Sequence, residues 1–164
     1  MAIVSTSTLY NFNTGILKKD ACIVIVKTEW NNEIISALEL GALQILKQFG
    51  FEHVLTLEVP GAVEIPFAIK NFARTSPVKA DAFIALGCVI KGDTPHFDYV
   101  CQSVTAGITQ LNIELPSPVI YGILTVNNEY QAWERLGGIH GHKGEEAAIT
   151  ALKMIHLEVQ KKTF

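Results

Sequence analysis

The sequence predicts a single α/β domain over 1–164, a four-stranded parallel sheet with helices on both faces, and three observations carry that expectation. Four apolar runs of strand length alternate with segments of helical period. No linker, internal repeat or low-complexity tract interrupts the alternation. The run over 82–90 is apolar throughout, which is how a strand buried on both faces of a parallel sheet reads. Strands separated by helices pair in parallel through right-handed crossovers.

The first strand is expected over 21–26. A helix follows over about 32–49, with Ile34, Leu38, Ala42, Ile45 and Phe49 as its inward stripe and Gly50 as its C-terminal cap. A second strand over 54–59 meets the turn Pro60, Gly61, Ala62. The next helix passes through Ile65, Ile69 and Phe72, and Pro66 is compatible only with its first turn. The third strand, 82–90, leads through a polar loop into a helix over about 95–111. The fourth, 119–126, precedes a short helix over 129–136, broken by Gly137 and Gly138, and a last helix over about 144–159. Segment 1–13 has no place in these units and is expected as an N-terminal arm on an exposed sheet edge, its own or a neighbour's. A small sheet with mean hydropathy +0.28 also leaves apolar helix surface for further copies to cover.

Composition excludes several classes of function. At 49% hydrophobic, 18% charged and net charge -3, with no cluster of Lys and Arg, the chain fits neither nucleic acid nor an anionic membrane as partner. The N-terminus lacks a basic stretch followed by an apolar one, and no apolar run reaches membrane-spanning length, so neither export by that route nor a membrane anchor is expected. Cys22, Cys88 and Cys101 are odd in number and lack metal-type pairing, which fits a reducing, cytoplasmic setting.

Ligands of open parallel sheets sit beyond the carboxyl ends of the strands. The loops there hold Glu29, Trp30 and Asn31, then Gly61, Ala62, Val63 and Glu64, then residues 91–96, then Asn127, Asn128 and Glu129. The third loop is the richest, with Lys91, Asp93, Thr94 and His96 in six residues. An imidazole accepts and returns protons near neutral pH. A flat aromatic, a turn opening a helix, and an imidazole beside a hydroxyl suit a planar heterocycle carrying an anionic group. Stacking holds the ring, and backbone amides hold the anion.

Each residue alone has a plainer reading. His96 serves as a polar helix start, Trp30 as packing, Glu64 as a first-turn carboxylate, and Arg135 as a cation at a helix C-terminus. Coincidence weakens as such readings accumulate, which favours a site. His140 and His142, with no partnered carboxylate or thiolate, favour a Gly-rich helix start over a metal, so no metal is expected. The phosphate-loop, dinucleotide and nucleophile-elbow signatures are absent.

Several segments together resemble the lumazine synthase family. They are Trp30 with Asn31, VPGAVEIP over 59–66, LGCVIKGDTPHFDYV over 86–100, VIYGILT over 119–125, and QAWER over 131–135 with HKGEEA over 142–147. They keep the family's order across 21–157, and a G-x-x-x-x-G-[DE]-T-x-H segment followed by distant E-R and K-G pairs is specific to it. The resemblance implies a three-layer, flavodoxin-like fold. It implies condensation of 5-amino-6-(D-ribitylamino)uracil with 3,4-dihydroxy-2-butanone 4-phosphate to 6,7-dimethyl-8-ribityllumazine, in riboflavin formation, without metal or organic cofactor.

It also implies roles. Trp30 stacks on the pyrimidine, Ala62, Val63 and Glu64 contact the ribityl chain, and Cys88, Val89 and Ile90 line the ring's edge through their backbone. Asp93 and Thr94 receive the butanone phosphate with Arg135 as cationic partner and Lys143 among the substrate-binding residues, while His96 transfers protons. Tyr121 and Arg135 come from an adjacent subunit, so the pocket belongs to a homo-oligomer, a pentamer, with icosahedral assembly of pentamers in some members. The turn between Arg135 and Lys143 has no extra residues, which resembles shell-forming members. Trp30 and Tyr121 stand where Phe is commoner, Lys91 where Arg is, and His142 where Asn is. Two other readings share the fold, a non-catalytic flavin-binding module and a structural shell protein. The first needs phosphate-cradling residues after the first strand, where Glu29, Trp30 and Asn31 stand, and the second has no use for His96 and Arg135.

Overall fold

A computed structural model of the chain describes residues 20–161. The arm expected over 1–13 lies outside them. In order, the elements are β1 (Ile23–Thr28), α1 (Asn32–Gln48), β2 (Val54–Val59), a 3-10 turn (Ala62–Glu64), α2 (Ile65–Thr75), β3 (Ala82–Ile90), α3 (His96–Glu114), β4 (Val119–Val126), α4 (Glu129–Trp133), β5 (Leu136–Gly138), β6 (Gly141–His142) and α5 (Lys143–Lys161).

Strands β1 to β4 form one parallel sheet in the order β2-β1-β3-β4, so among the described residues β2 and β4 are its edges. Thr28 lies opposite Val59, and Ile90 opposite Val126, which brings the carboxyl ends to one rim. The strand order reverses between β1 and β3, and that switch point is where open sheets leave a crevice. Three layers result. Ile23, Ile25, Ile84 and Leu86 pack with Ile35, Leu38 and Leu46 of α1 and with Ala148, Ile149 and Leu152 of α5. Val24, Val26, Phe83 and Ala85 face the other way, onto Ile65 and Ile69 of α2 and Val104, Ile108 and Leu111 of α3. Alternation along each strand thus feeds two apolar cores.

The expected stripe of α1 is buried at Ile34, Leu38, Ala42 and Ile45, with Phe49 half-buried against the same core. The helix ends as its glycine implies: Gly50 N–H donates to the Lys47 carbonyl at 3.0 Å and Phe51 N–H to that of Leu46 at 2.9 Å. Several boundaries differ from the sequence reading. Strand β1 occupies 23–28 rather than 21–26, because Lys27 continues the ladder with both β2 and β3, and Thr28 that with β2, after the apolar run stops; Glu39 and Glu58 neutralise the Lys27 ammonium at 2.7 and 3.4 Å. The short helix closes at Trp133, and 136–142 form a hairpin that periodicity does not reveal, turned by Gly137 and Gly141 at φ 110° and 75°. The last helix accordingly starts one residue early, at Lys143.

Candidate functional site

The chemistry-bearing residues fall into two groups. One lies on the rim over the switch point. After β1, Glu29 N–H donates to the Val59 carbonyl at 2.8 Å and Trp30 N–H to that of Pro60 at 3.3 Å, which ties the first loop to the second. The Trp30 indole is 67% exposed and lies over Gly61, where a Cβ would stand 2.7 Å from its ring. Burial of this ring as ordinary packing is therefore not what the fold does with it. Gly61 N–H donates to the Glu64 carboxylate at 3.1 Å, which fixes the turn carrying Ala62 and Val63 and makes Glu64 a helix-start carboxylate as well as a rim residue.

Asn31 adopts φ 60°, a left-handed conformation that Asn tolerates better than most residues, and its side-chain amide donates to the Cys88 carbonyl at 2.9 Å. That bond spans the switch point and holds the end of β3 against the first loop. Cys88 is buried, and desolvation, with a smaller contribution from the charge of Glu129, pushes its thiol up to about 11. Val89 and Ile90 are half-buried at the strand end; Asp93, Thr94 and His96 are exposed in the loop that follows, with His96 the first residue of α3. The opening turn of α3 leaves backbone N–H groups unpaired within the helix, so Thr94 and His96 border a place suited to an anion.

The second group lines a cleft of about 560 Å³ along the outer edge of β4. Tyr121 projects from the strand, and its hydroxyl pairs with that of Thr105 on α3 at 3.2 Å; burial raises the pKa of that hydroxyl. Arg135 donates from Nη1 to the Gln131 carbonyl at 2.7 Å, so it closes the end of α4 while lining the cleft. Its own carbonyl accepts from Lys143 N–H at 2.8 Å. The Lys143 ammonium is held by both oxygens of Glu146 at 2.7 and 2.8 Å.

The fold thus brings Tyr121, Arg135 and Lys143 together, and it brings Trp30, Ala62, Val63, Glu64, Cys88, Val89, Ile90, Asp93, Thr94 and His96 to the rim. None of the rim residues lines the β4 cleft. Glu64 instead borders a second cleft, of about 460 Å³, on the opposite edge of the sheet with Leu57, Phe67 and Phe72. Asn31 and Glu146 support the two groups; the sequence marks them only as members of the Trp30-Asn31 and HKGEEA segments, with no role of their own. The signals were an Asn at a strand-to-helix corner and a carboxylate three residues after Lys143 on a helix. Among the described residues no three His, Cys, Asp or Glu side chains gather as a metal site requires.

A family model for 6,7-dimethyl-8-ribityllumazine synthase matches residues 20–158. The chain belongs to that family. Curated relatives bearing the same enzyme name include one from Porphyromonas gingivalis, 48% identical over 151 residues, which are 91% of this chain and 92% of the relative. One from Bacteroides fragilis is 51% identical over 133 residues, 80% of this chain and 92% of the relative. One from Parabacteroides distasonis is 45% identical over 149 residues, 90% and 92% of the two chains. As a lumazine synthase family member the chain is a transferase of riboflavin biosynthesis. Its sheet of four parallel strands between two helix layers is the fold the resemblance implied. Among the described residues no helix is long and apolar enough to cross a membrane.

Proposed function

We propose that the chain condenses 5-amino-6-(D-ribitylamino)uracil with 3,4-dihydroxy-2-butanone 4-phosphate at sites shared between neighbouring copies. One observation supports this above the rest: Tyr121, Arg135 and Lys143 line the β4 edge, while Trp30, the 62–64 turn and His96 lie on the rim over the switch point. Edges β2 and β4 are different surfaces, so a contact joining one to the other is head-to-tail and, with a rotation that closes, forms a ring. A pentamer is our reading of that ring, with an icosahedral assembly of pentamers as its extension. We place the enzyme in the cytoplasm, where free thiols such as Cys88 and Cys101 persist.

In this reading the Trp30 indole stacks on the pyrimidine, and Ala62, Val63 and Glu64 receive the ribityl chain. The backbone of Cys88, Val89 and Ile90, held in register by Asn31, borders the ring's edge. The phosphate of the second substrate lies against Asp93, Thr94 and the opening amides of α3, opposite a neighbour's Arg135 and Lys143. Attack of the 5-amino group on the ketone gives a carbinolamine, and loss of water gives an imine. β-Elimination then expels phosphate and leaves an enol that tautomerises to a ketone, and attack of the ribityl-bearing amine on that ketone with loss of a second water closes the ring. Each step moves a proton, and His96 is placed to take and return it. The guanidinium and helix amides meet the charge that develops as phosphate leaves. Both substrates already carry reactive groups, so holding them together supplies much of the rate.

Mixing the protein with the two substrates should give lumazine fluorescence without added metal or cofactor. His96→Ala should slow turnover roughly 10–100-fold and leave residual activity. Arg135→Ala should raise KM for the butanone phosphate about tenfold or more. Total inactivity of the first variant, or unchanged use of butanone phosphate by the second, contradicts these roles.

A further inference from the structure

We infer that His142 is a positioning residue that sets Arg135 and Lys143 for phosphate by capping α5 and bracing it against α1, an inference that rests on the function proposed above. His142 immediately precedes α5, and its ring Nδ1 accepts from the Glu145 backbone N–H at 3.4 Å, the long end of the hydrogen-bond range. An acceptor three residues before a first-turn helix N–H is the geometry of an N-cap. For Nδ1 to accept, the ring proton resides on Nε2.

A second, independent observation is how the ring is seated. It lies directly on α1 at Gly41, where a Cβ would stand 2.6 Å from Nδ1 and 2.8 Å from Nε2. Two residues on, Gly144 meets α1 in the same way, for a Cβ there would stand 2.8 Å from the Leu38 carbonyl carbon. The imidazole on Gly41 and the Gly144 backbone on Leu38 thus seat the start of α5 on one turn of α1. Side chains larger than hydrogen at either glycine would prop the helices apart.

The consequence reaches the phosphate pair through covalent and hydrogen-bonded neighbours only. Leu136 pairs with His142 across the β5-β6 hairpin, and the Arg135 carbonyl accepts from Lys143 N–H at 2.8 Å. Arg135 and Lys143 are therefore the two ends of one hairpin whose last strand residue is His142. Glu146, which holds the Lys143 ammonium, lies in the first turn of the helix that His142 caps. Loosening that turn moves Lys143, Glu146 and Arg135 together and leaves the rim group on β1 to β3 in place. The predicted effect is accordingly selective for the phosphorylated substrate.

The test is steady-state kinetics of the full chain with each substrate varied in turn. His142→Ala should raise KM for the butanone phosphate about five- to tenfold, the loss expected from one helix cap, with a smaller change in kcat and no change in KM for the ribitylaminouracil. His142→Asn, which restores a cap acceptor, should recover most of the loss. Gly41→Ala keeps the imidazole but displaces it from α1, and should give the same selective rise. Arg135→Ala is measured in parallel. A butanone-phosphate KM raised by Arg135→Ala alone overturns the inference about His142. A KM unmoved in all variants overturns the proposed site and the inference with it. Equal loss on both substrates, unrescued by Asn, shows a general structural role and also overturns the inference.

Discussion

Cys88 shows how the fold sets the chemistry of a single residue. Its sulfur is buried at the end of β3 beneath the candidate site, while its carbonyl is fixed by Asn31. Burial disfavours the thiolate, and the charge of Glu129 adds to the effect, so the thiol keeps its proton up to about 11. The sign of the linkage follows: the folded state binds that proton more tightly than the unfolded chain, so this group's contribution to stability is intact below the ordinary thiol range and is lost as pH climbs through it toward 11. Alkylation of Cys88 by iodoacetamide in the native protein should be slow at pH 8 and should rise steeply only toward pH 11, followed by peptide mapping. Rapid labelling at pH 8, with the protein folded by circular dichroism, would refute the burial argument.

At the scale of elements, Glu39 is where α1, β1 and β2 are joined. Its carboxylate accepts from Lys27 at 2.7 Å and from the Thr56 hydroxyl at 3.2 Å, with Lys27 and Glu39 side chains only 16% and 15% exposed. The hydrogen bond from Lys27 to Glu39, with Glu58 nearby, outweighs desolvation and raises the lysine pKa. The sign is that of a raised base: while Glu39 is ionised, the lysine's contribution is intact below the ordinary lysine range and is lost as pH rises past it. Glu39→Gln should cost roughly 1–3 kcal/mol, because a largely shielded ammonium loses its main partner. Thermal melting at pH 7 should show a fall of roughly 3–10 °C. An unchanged Tm would mean that Lys27 finds equivalent partners in Glu58 and water.

For the whole molecule, the division of the site between two regions of the chain predicts complementation. In a head-to-tail ring each site takes its rim from one copy and its β4 edge from the next. Co-expressed His96→Ala and Arg135→Ala chains should therefore assemble some sites with both halves intact, about a quarter of them by random mixing. Activity of the mixed rings should exceed the average of the two separately purified variants. Sedimentation should show an assembly well above 18.0 kDa before the assay is read. Activity no higher than that average would place both residues in the same copy's site.

Strand and helix identity were legible from the sequence because the signals are local. Period-2 and period-3.6 apolar patterns mark which segments must bury a face, and Gly50 and Pro66 mark where helices end and begin. The order of short motifs along the chain carries the rim residues and the family resemblance. Periodicity carried the short helix on through 134–136 and had nothing to report for 137–142, because two glycine-turned strands of three and two residues bury no regular stripe. It also missed that Lys27 and Thr28 extend β1, since their place in the ladder depends on Glu39 and Glu58 from other elements. Only the tertiary structure decided that Arg135 and Lys143 share the β4 edge, that Asn31 bridges to Cys88, and that His142 rests on Gly41. Those relations join residues up to about a hundred positions apart in the chain, and a distance of that kind is fixed by packing between elements, which no local pattern encodes.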